Sequence, residues 1–221
     1  MMFKALIFDM DGVLVDSHPY IWHSFQEVLR EQEIILSDKE IKQYIGLSLR
    51  DQMEIWKKEY GLRGYTVEEF SQKSGKIQFD LIEKNHKHDQ YIYSFINQAK
   101  KQGMRLAVAT NSSRWRADKM LEVLNIKKYF DVLVTSDDVT NHKPHPDMFL
   151  LAAERLGVHP KQCIVFEDAL SGIQGAKNAN MKAVALITRF HTRKELEEAH
   201  LVINDFSEID MQQLVELYKK E

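Results

Sequence analysis

The residues in this chain most able to do chemistry fall in four short stretches. They are Asp9-Met10-Asp11-Gly12, Thr110-Asn111, Lys143-Pro144 and Glu167-Asp168. Carboxylates gathered at one place repel one another unless a cation joins them, and oxygen ligands of this hardness suit magnesium. A carboxylate beside such an ion can approach an anionic phosphate, attack phosphorus and form an acyl phosphate, which divides one difficult displacement into two easier ones. A second acid two residues along can protonate the leaving oxygen and then activate water. Gly12 permits a sharp turn after the pair. A lysine supplies a point charge to the transferring oxygens and a threonine hydroxyl supplies a hydrogen bond. The set suits phosphoryl transfer, provided that the fold brings the stretches together.

The elements between them supply that condition. Continuous apolar runs occur at Phe3 to Phe8, Leu106 to Ala109, Val132 to Thr135, Ile164 to Phe166 and Ala183 to Ile187, with a weaker one at Leu201 to Ile203. Continuous rather than alternating runs predict strands buried on both faces, as in a parallel sheet. Helical stripes separate the later runs: Ala117, Met120, Leu121 and Leu124; Met148, Leu151, Ala152 and Leu156; Ile173, Ala176 and Ala179. This alternation predicts an α/β fold with a doubly wound, Rossmann-like parallel sheet. The chemical residues follow the first, second, third and fourth runs. Ligands of such sheets bind beyond the carboxyl ends of the strands, where the strand order reverses. If the first strand lies between the second and fourth, Asp9, Thr110 and Asp168 converge, and Lys143 reaches in from the loop after the third.

Residues 16–88 interrupt the rhythm with consecutive helices. Trp22, Phe25, Val28 and Leu29 share one face; Met53, Ile55 and Trp56 mark a second helix; Phe70, Ile77, Leu81 and Ile82 mark a third. A single crossover needs one helix, so this stretch reads as a helical domain inserted into a core made of residues 1–15 and 89–221. Linkers are expected near Val15 to Ser17 and His88 to Tyr91, allowing the insertion to open and close over the site.

Four motifs in order, Asp9-Met10-Asp11-Gly12-Val13-Leu14 with Asp16-Ser17, Thr110-Asn111, Lys143-Pro144-His145-Pro146-Asp147, and Phe166-Glu167-Asp168-Ala169 with Ser171-Gly172, resemble the haloacid dehalogenase superfamily. The likeness is greatest to its β-phosphoglucomutase and phosphoglycolate phosphatase-like branch and spans nearly the whole chain. It implies a Rossmann-like core with a helical cap and a magnesium-dependent hydrolase of small phosphorylated metabolites, with sugar phosphates as the expected class. It implies Asp9 as nucleophile and Asp11 as general acid and base, with Thr110, Asn111 and Lys143 on the phosphoryl group. Asp9, the main-chain carbonyl of Asp11, and Asp168 would hold magnesium, with Glu167 either a further ligand or a hydrogen-bond acceptor behind them. Dehalogenases of the superfamily lack the second acid, so Asp11 disfavours halide chemistry. Mutases of the branch carry a histidine in the first cap helix and an arginine directly after a Gly-x-Ser turn. Here Ile21 and Leu49 hold those places, with His18 and His23 displaced and Arg50 one residue late, so hydrolysis is favoured over mutase chemistry. Arg50 is a candidate for the far end of the substrate.

The composition bounds the rest. Hydrophobic residues form 44% of the chain and charged ones 29%, enough to build a core and too apolar for disorder. A net charge of −3 leaves no basic excess for nucleic acid. With Cys163 as the single cysteine, neither an internal disulfide nor a cysteine-based zinc site is possible. The start of the chain lacks the apolar core of a signal peptide and no run reaches membrane-spanning length, so a cytoplasmic enzyme is expected. Oligomeric state, monomer or weak dimer, is left open. Two other classes share the pattern in part. A receiver domain also collects acids, a threonine and a lysine at strand ends, but would use an acid after the third strand, here Asp137 or Asp138, and has no insertion. A catalytically inactive binding module would keep the fold without need for every reactive residue type.

Overall fold

The apolar runs become strands paired side by side. In the computed structural model, which describes residues 3–37, 40, 44, 47–85 and 89–219, β1 is Ala5–Phe8, β2 Arg105–Ala109, β3 Val132–Val134, β4 Cys163–Glu167, β5 Lys182–Leu186 and β6 Leu201–Ile203. They form one six-stranded sheet in the order β3-β2-β1-β4-β5-β6. Every pairing is parallel. The order reverses between β1 and β4, so the ends of these two strands define the crevice of a doubly wound sheet. The third run stops one residue sooner than its apolar character suggests. Thr135 leaves the ladder to cap a 3₁₀ turn at Ser136–Asp138.

Alternate residues of the central strands feed two cores. On one face Phe8 and Phe166 stack at 4.9 Å, and Phe95 and Phe206 close around them at 5.2 to 6.4 Å. On the other, Ala5, Ile7, Ala107 and Val165 pack with Met148, Phe149 and Ala152 of one helix and Ile173 of another. Burial on both faces explains why these strands read as unbroken apolar runs. The helices that supply the partners are α4 (Gln90–Lys101), α6 (Asp147–Leu156) and α7 (Leu170–Asn178); α5 (Arg114–Val123) follows β2 and α8 (Met211–Lys219) follows β6.

The chain divides into two compact units, Met1–Asp16 with Lys87–Glu221 and Ser17–His86. The second holds three described helices, α1 (His18–Arg30), α2 (Leu49–Tyr60) and α3 (Val67–Asn85). Their sequences carry the end signals that local physics requires. The Ser48 hydroxyl receives the Asp51 amide at the start of α2, and Gly61 ends it in the left-handed region at φ 75°. Thr66 and Glu69 exchange hydrogen bonds across the start of α3. The unit packs around Trp56, which is completely buried, with Val28, Leu29, Met53 and Phe70. Trp22 and Phe25 meet edge to face at 5.8 Å and belong to this core. No helix among the described residues is long and apolar enough to cross a membrane. His86, His88 and Gly46 lie outside the described residues.

Candidate active site

β1 delivers Asp9 to the switch point directly after its last residue. The Asp9 amide donates to the Phe166 carbonyl at 2.9 Å, continuing the ladder to β4 one residue beyond the strand. The carboxylate is thereby held beside Glu167 and Asp168 at the end of β4. Ligand oxygens of Asp9, Glu167 and Asp168 lie within 4.8 Å of one another, and all three residues are buried.

Lys143 enters from the loop after β3, on a cis Lys143–Pro144 bond. Its ammonium donates to Asp9 Oδ1 at 2.5 Å, Glu167 Oε1 at 2.6 Å and the Ala109 carbonyl at 2.8 Å. An ammonium has three protons, so this arrangement engages each of them. The lysine expected on the phosphoryl oxygens thus bridges two acids, with its charge adjacent to Asp9. Its loop rests on α7, where Asn178 donates to the Pro144 carbonyl at 3.1 Å.

One buried cation against three buried acids leaves the cluster short of positive charge. Burial pushes the Asp9 carboxyl up to about 7 despite the pull of Lys143, and Glu167 and Asp11 add to the rise. Burial, then the charges of Glu167 and Asp9, hold Asp168 well above the ordinary carboxylate range. Burial alone would strip the Lys143 proton, but Asp9 and Glu167 outweigh it and hold that proton more firmly than usual. A divalent cation among these oxygens would correct the imbalance, so the donor set fits a hard metal ion.

Two glycines make the packing possible. A Cβ on Gly12, which has φ +86°, would lie 2.0 Å from Asp168 Oδ2. One on Gly172 would lie 1.9 Å from Glu167 Cδ. Both acids are therefore folded against backbone that must be bare. The Glu167 Oε2 also accepts from the amides of Asp168 at 3.1 Å and Ala169 at 3.3 Å.

The remaining expected residues fall into place unevenly. Thr110 is buried at the end of β2 and its hydroxyl oxygen accepts from the Ser112 amide at 3.1 Å; Ser113, not Thr110, precedes α5. Asn111 carries a buried Oδ1 with no hydrogen-bond partner among the described residues. Asp11 is held by Arg116 and Ser112, neither of which stood out in the sequence. Asp137 and Asp138 are consumed by structure: Asp137 caps α5 through the Arg114 amide at 2.7 Å, and Asp138 closes the Thr135 turn and pairs with Arg114 and Arg155. That removes them as the acceptor acids of a receiver domain. Arg50 is exposed near the start of α2 in the helical unit.

A sheet of this order, with acids and a lysine at its switch point, defines a class that comparison makes explicit. Residues 6–186 match the family model of haloacid dehalogenase-like hydrolases, and the chain belongs to that family. It is 30% identical over 200 residues to the phosphorylated carbohydrates phosphatase of Thermotoga maritima, covering 90% of this chain and 92% of that one. It is 34% identical over 187 residues to the fructose-1-phosphate phosphatase YqaB of Escherichia coli K12, covering 82% and 95%. Among solved structures, a β-phosphoglucomutase of Clostridium difficile superposes with a TM-score of 0.85 at 25% identity, covering 99% of this chain and 98% of that one.

Proposed function

We propose that this protein is a magnesium-dependent phosphatase of small sugar phosphates, with Asp9 as the nucleophile. The observation that carries the reading is the buried cluster of Asp9, Glu167 and Asp168 around Lys143 at the switch point. The names of the two phosphatase relatives support a phosphorylated carbohydrate as substrate. Asp9, Glu167, Asp168 and the main-chain carbonyl of Asp11 would hold magnesium, which when bound neutralises charge between the carboxylates and the incoming phosphate.

The chain's own residues then do the following. Lys143 orients Asp9 Oδ1 and keeps the nucleophile in register with Glu167. An Asp9 oxygen attacks phosphorus; its new P–O bond forms as the bond to the sugar oxygen breaks. Asp11 gives that oxygen its proton, so a neutral alcohol leaves. Thr110, with its hydroxyl proton unspent, donates to a phosphoryl oxygen, and Asn111 borders the same strand end. In the second step Asp11 takes a proton from water, the water oxygen bonds to phosphorus, and the bond to Asp9 breaks to release inorganic phosphate.

Phosphomutase activity is the second reading, favoured by the likeness to a β-phosphoglucomutase. Against it stand Leu49 and Ile21, where such a mutase needs a phosphate clamp and a polar device. The two separate in one assay: β-glucose 1-phosphate with a trace of the 1,6-bisphosphate and magnesium. Inorganic phosphate is expected without need of the bisphosphate, and rapid glucose 6-phosphate ahead of phosphate would overturn the hydrolase reading.

A further inference from the structure

The carboxylate of Asp11 is gripped at both oxygens by one guanidinium. Arg116 Nη1 donates to Asp11 Oδ2 at 2.6 Å and Nη2 donates to Oδ1 at 2.8 Å. Ser112 completes the grip: its hydroxyl donates to Asp11 Oδ2 at 3.1 Å and accepts from Arg116 Nη1 at 2.5 Å. The two charged side chains are only 13% and 18% exposed. Solvated ion pairs fix little, but a sheltered two-point fork fixes both distance and plane.

The place of Arg116 in its helix sharpens the point. It is the third residue of α5, whose first turn contains Arg114 and Arg116 and no acid. A helix start is the positive end of the helix dipole, where cations are disfavoured. Arg114 is offset by Asp138 from the loop after β3. Arg116 is offset by Asp11. The cost of two cations at this helix start is thus offset by acids from outside the helix, not by any in its own first turn.

We propose that Arg116 is a positioning residue, which fixes the plane of the Asp11 carboxyl group so that the same group, when protonated, gives its proton to the leaving oxygen and then, as the carboxylate the fork favours, takes one from the attacking water. Both oxygens occupy the same side of phosphorus, opposite Asp9, at different moments. An aspartate side chain has two free torsions, and a displacement of about 1 Å at a proton-transfer group can lower the rate by roughly a hundredfold. The inference rests on the reading of Asp11 as the proton-transfer group, and the test separates the two.

Phosphate release from β-glucose 1-phosphate with magnesium, whose leaving oxygen needs a proton, is compared for the parent, Arg116→Ala, Arg116→Gln, Asp11→Ala and the Asp11→Ala, Arg116→Ala double variant, with melting followed by circular dichroism. Arg116→Ala is expected to lower kcat about 10- to 100-fold with KM changed less than about twofold. Millimolar guanidinium should restore part of that loss, which a packing defect would not show. In the Asp11→Ala background the arginine substitution should cost nothing further. Unchanged kcat, a loss confined to KM, or full additivity in the double variant would overturn the proposal. If Arg116→Ala does not fold, Arg116→Gln, of similar reach but without the fork, carries the same expectations and the same power to overturn. Near-normal turnover by Asp11→Ala would overturn the reading of Asp11 itself, whereas an inactive Asp11→Ala beside a fully active Arg116 variant overturns only the positioning role.

Discussion

Glu167 can fold back against its own strand end only because residue 172 has no side chain. Any Cβ there would overlap the Glu167 carboxyl group at 1.9 Å, and the carboxyl is pinned by Lys143 and two amides, so it cannot yield without breaking those bonds. Gly172→Ala is therefore expected to keep the fold but weaken magnesium affinity about 10- to 100-fold, the range for lost ligand support. Magnesium titration of activity against a circular dichroism melt checks this. Unchanged metal dependence in a folded variant would mean that Glu167 has no part in holding the ion. Asp9→Asn is expected to lower turnover by about a thousandfold or more while preserving the melt, as loss of a nucleophile does elsewhere. Steady-state phosphate release measures it, and near-normal turnover would falsify the nucleophile assignment.

At the scale of elements, the loop after β3 depends on Asp138. Its side chain, 15% exposed, joins the Thr135 turn to Arg114 of α5 and Arg155 of α6. Burial works to raise its proton affinity, but the hydrogen bonds from Thr135 and Arg155 and the Arg114 charge prevail and hold the carboxyl at about 2. A depressed carboxyl contributes stability that is full above its unfolded value and is lost as pH falls through the folded one. With both arginines more than a third exposed, Asp138→Asn is thus expected to cost about 1 kcal/mol at neutral pH. That difference should shrink as pH falls from 4 toward 2. Urea melts of both proteins at several pH values check it, and a pH-independent difference would remove the ionic part of the argument.

The same elements show what the sequence could reveal. β1, β4 and β5 were legible because strands buried on both faces have no polar alternation to disguise them. The acids were legible because they interrupt those runs at the carboxyl end. Lys143 was legible as a candidate, since Pro144 and Pro146 stiffen the loop that follows it, but its grip on Asp9 and Glu167 together was not. Arg116 was illegible for a different reason. An arginine on an amphipathic helix reads as a solvated face, and its partner lies more than a hundred residues earlier. The available signal was negative: two cations and no acid in the first turn of α5. Asp137 and Asp138 misled in the opposite sense, because acids after a strand look reactive until their capping partners are placed.

For the molecule as a whole, the uncompensated acids at the switch point tie metal to stability. A ligand that binds the folded state alone stabilises it by about 2.7 kcal/mol at a hundredfold excess over its dissociation constant. Magnesium is expected to raise the melting temperature of chelator-treated protein, and Asp168→Asn to abolish most of that rise. Differential scanning calorimetry measures both, and an equal rise in Asp168→Asn would place the ion elsewhere.

The central place of β1 has a consequence for the birth of the protein. β1 leaves the ribosome well before its neighbours in the sheet, which begin at Arg105 and Cys163. Its apolar side chains therefore wait through the synthesis of the entire helical unit before any strand can pair with them. Such late, distant pairing closes slowly and leaves a sticky segment uncovered meanwhile. The sheet unit of this chain is expected to condense only once β4 has emerged, around the strand that ends at Asp9.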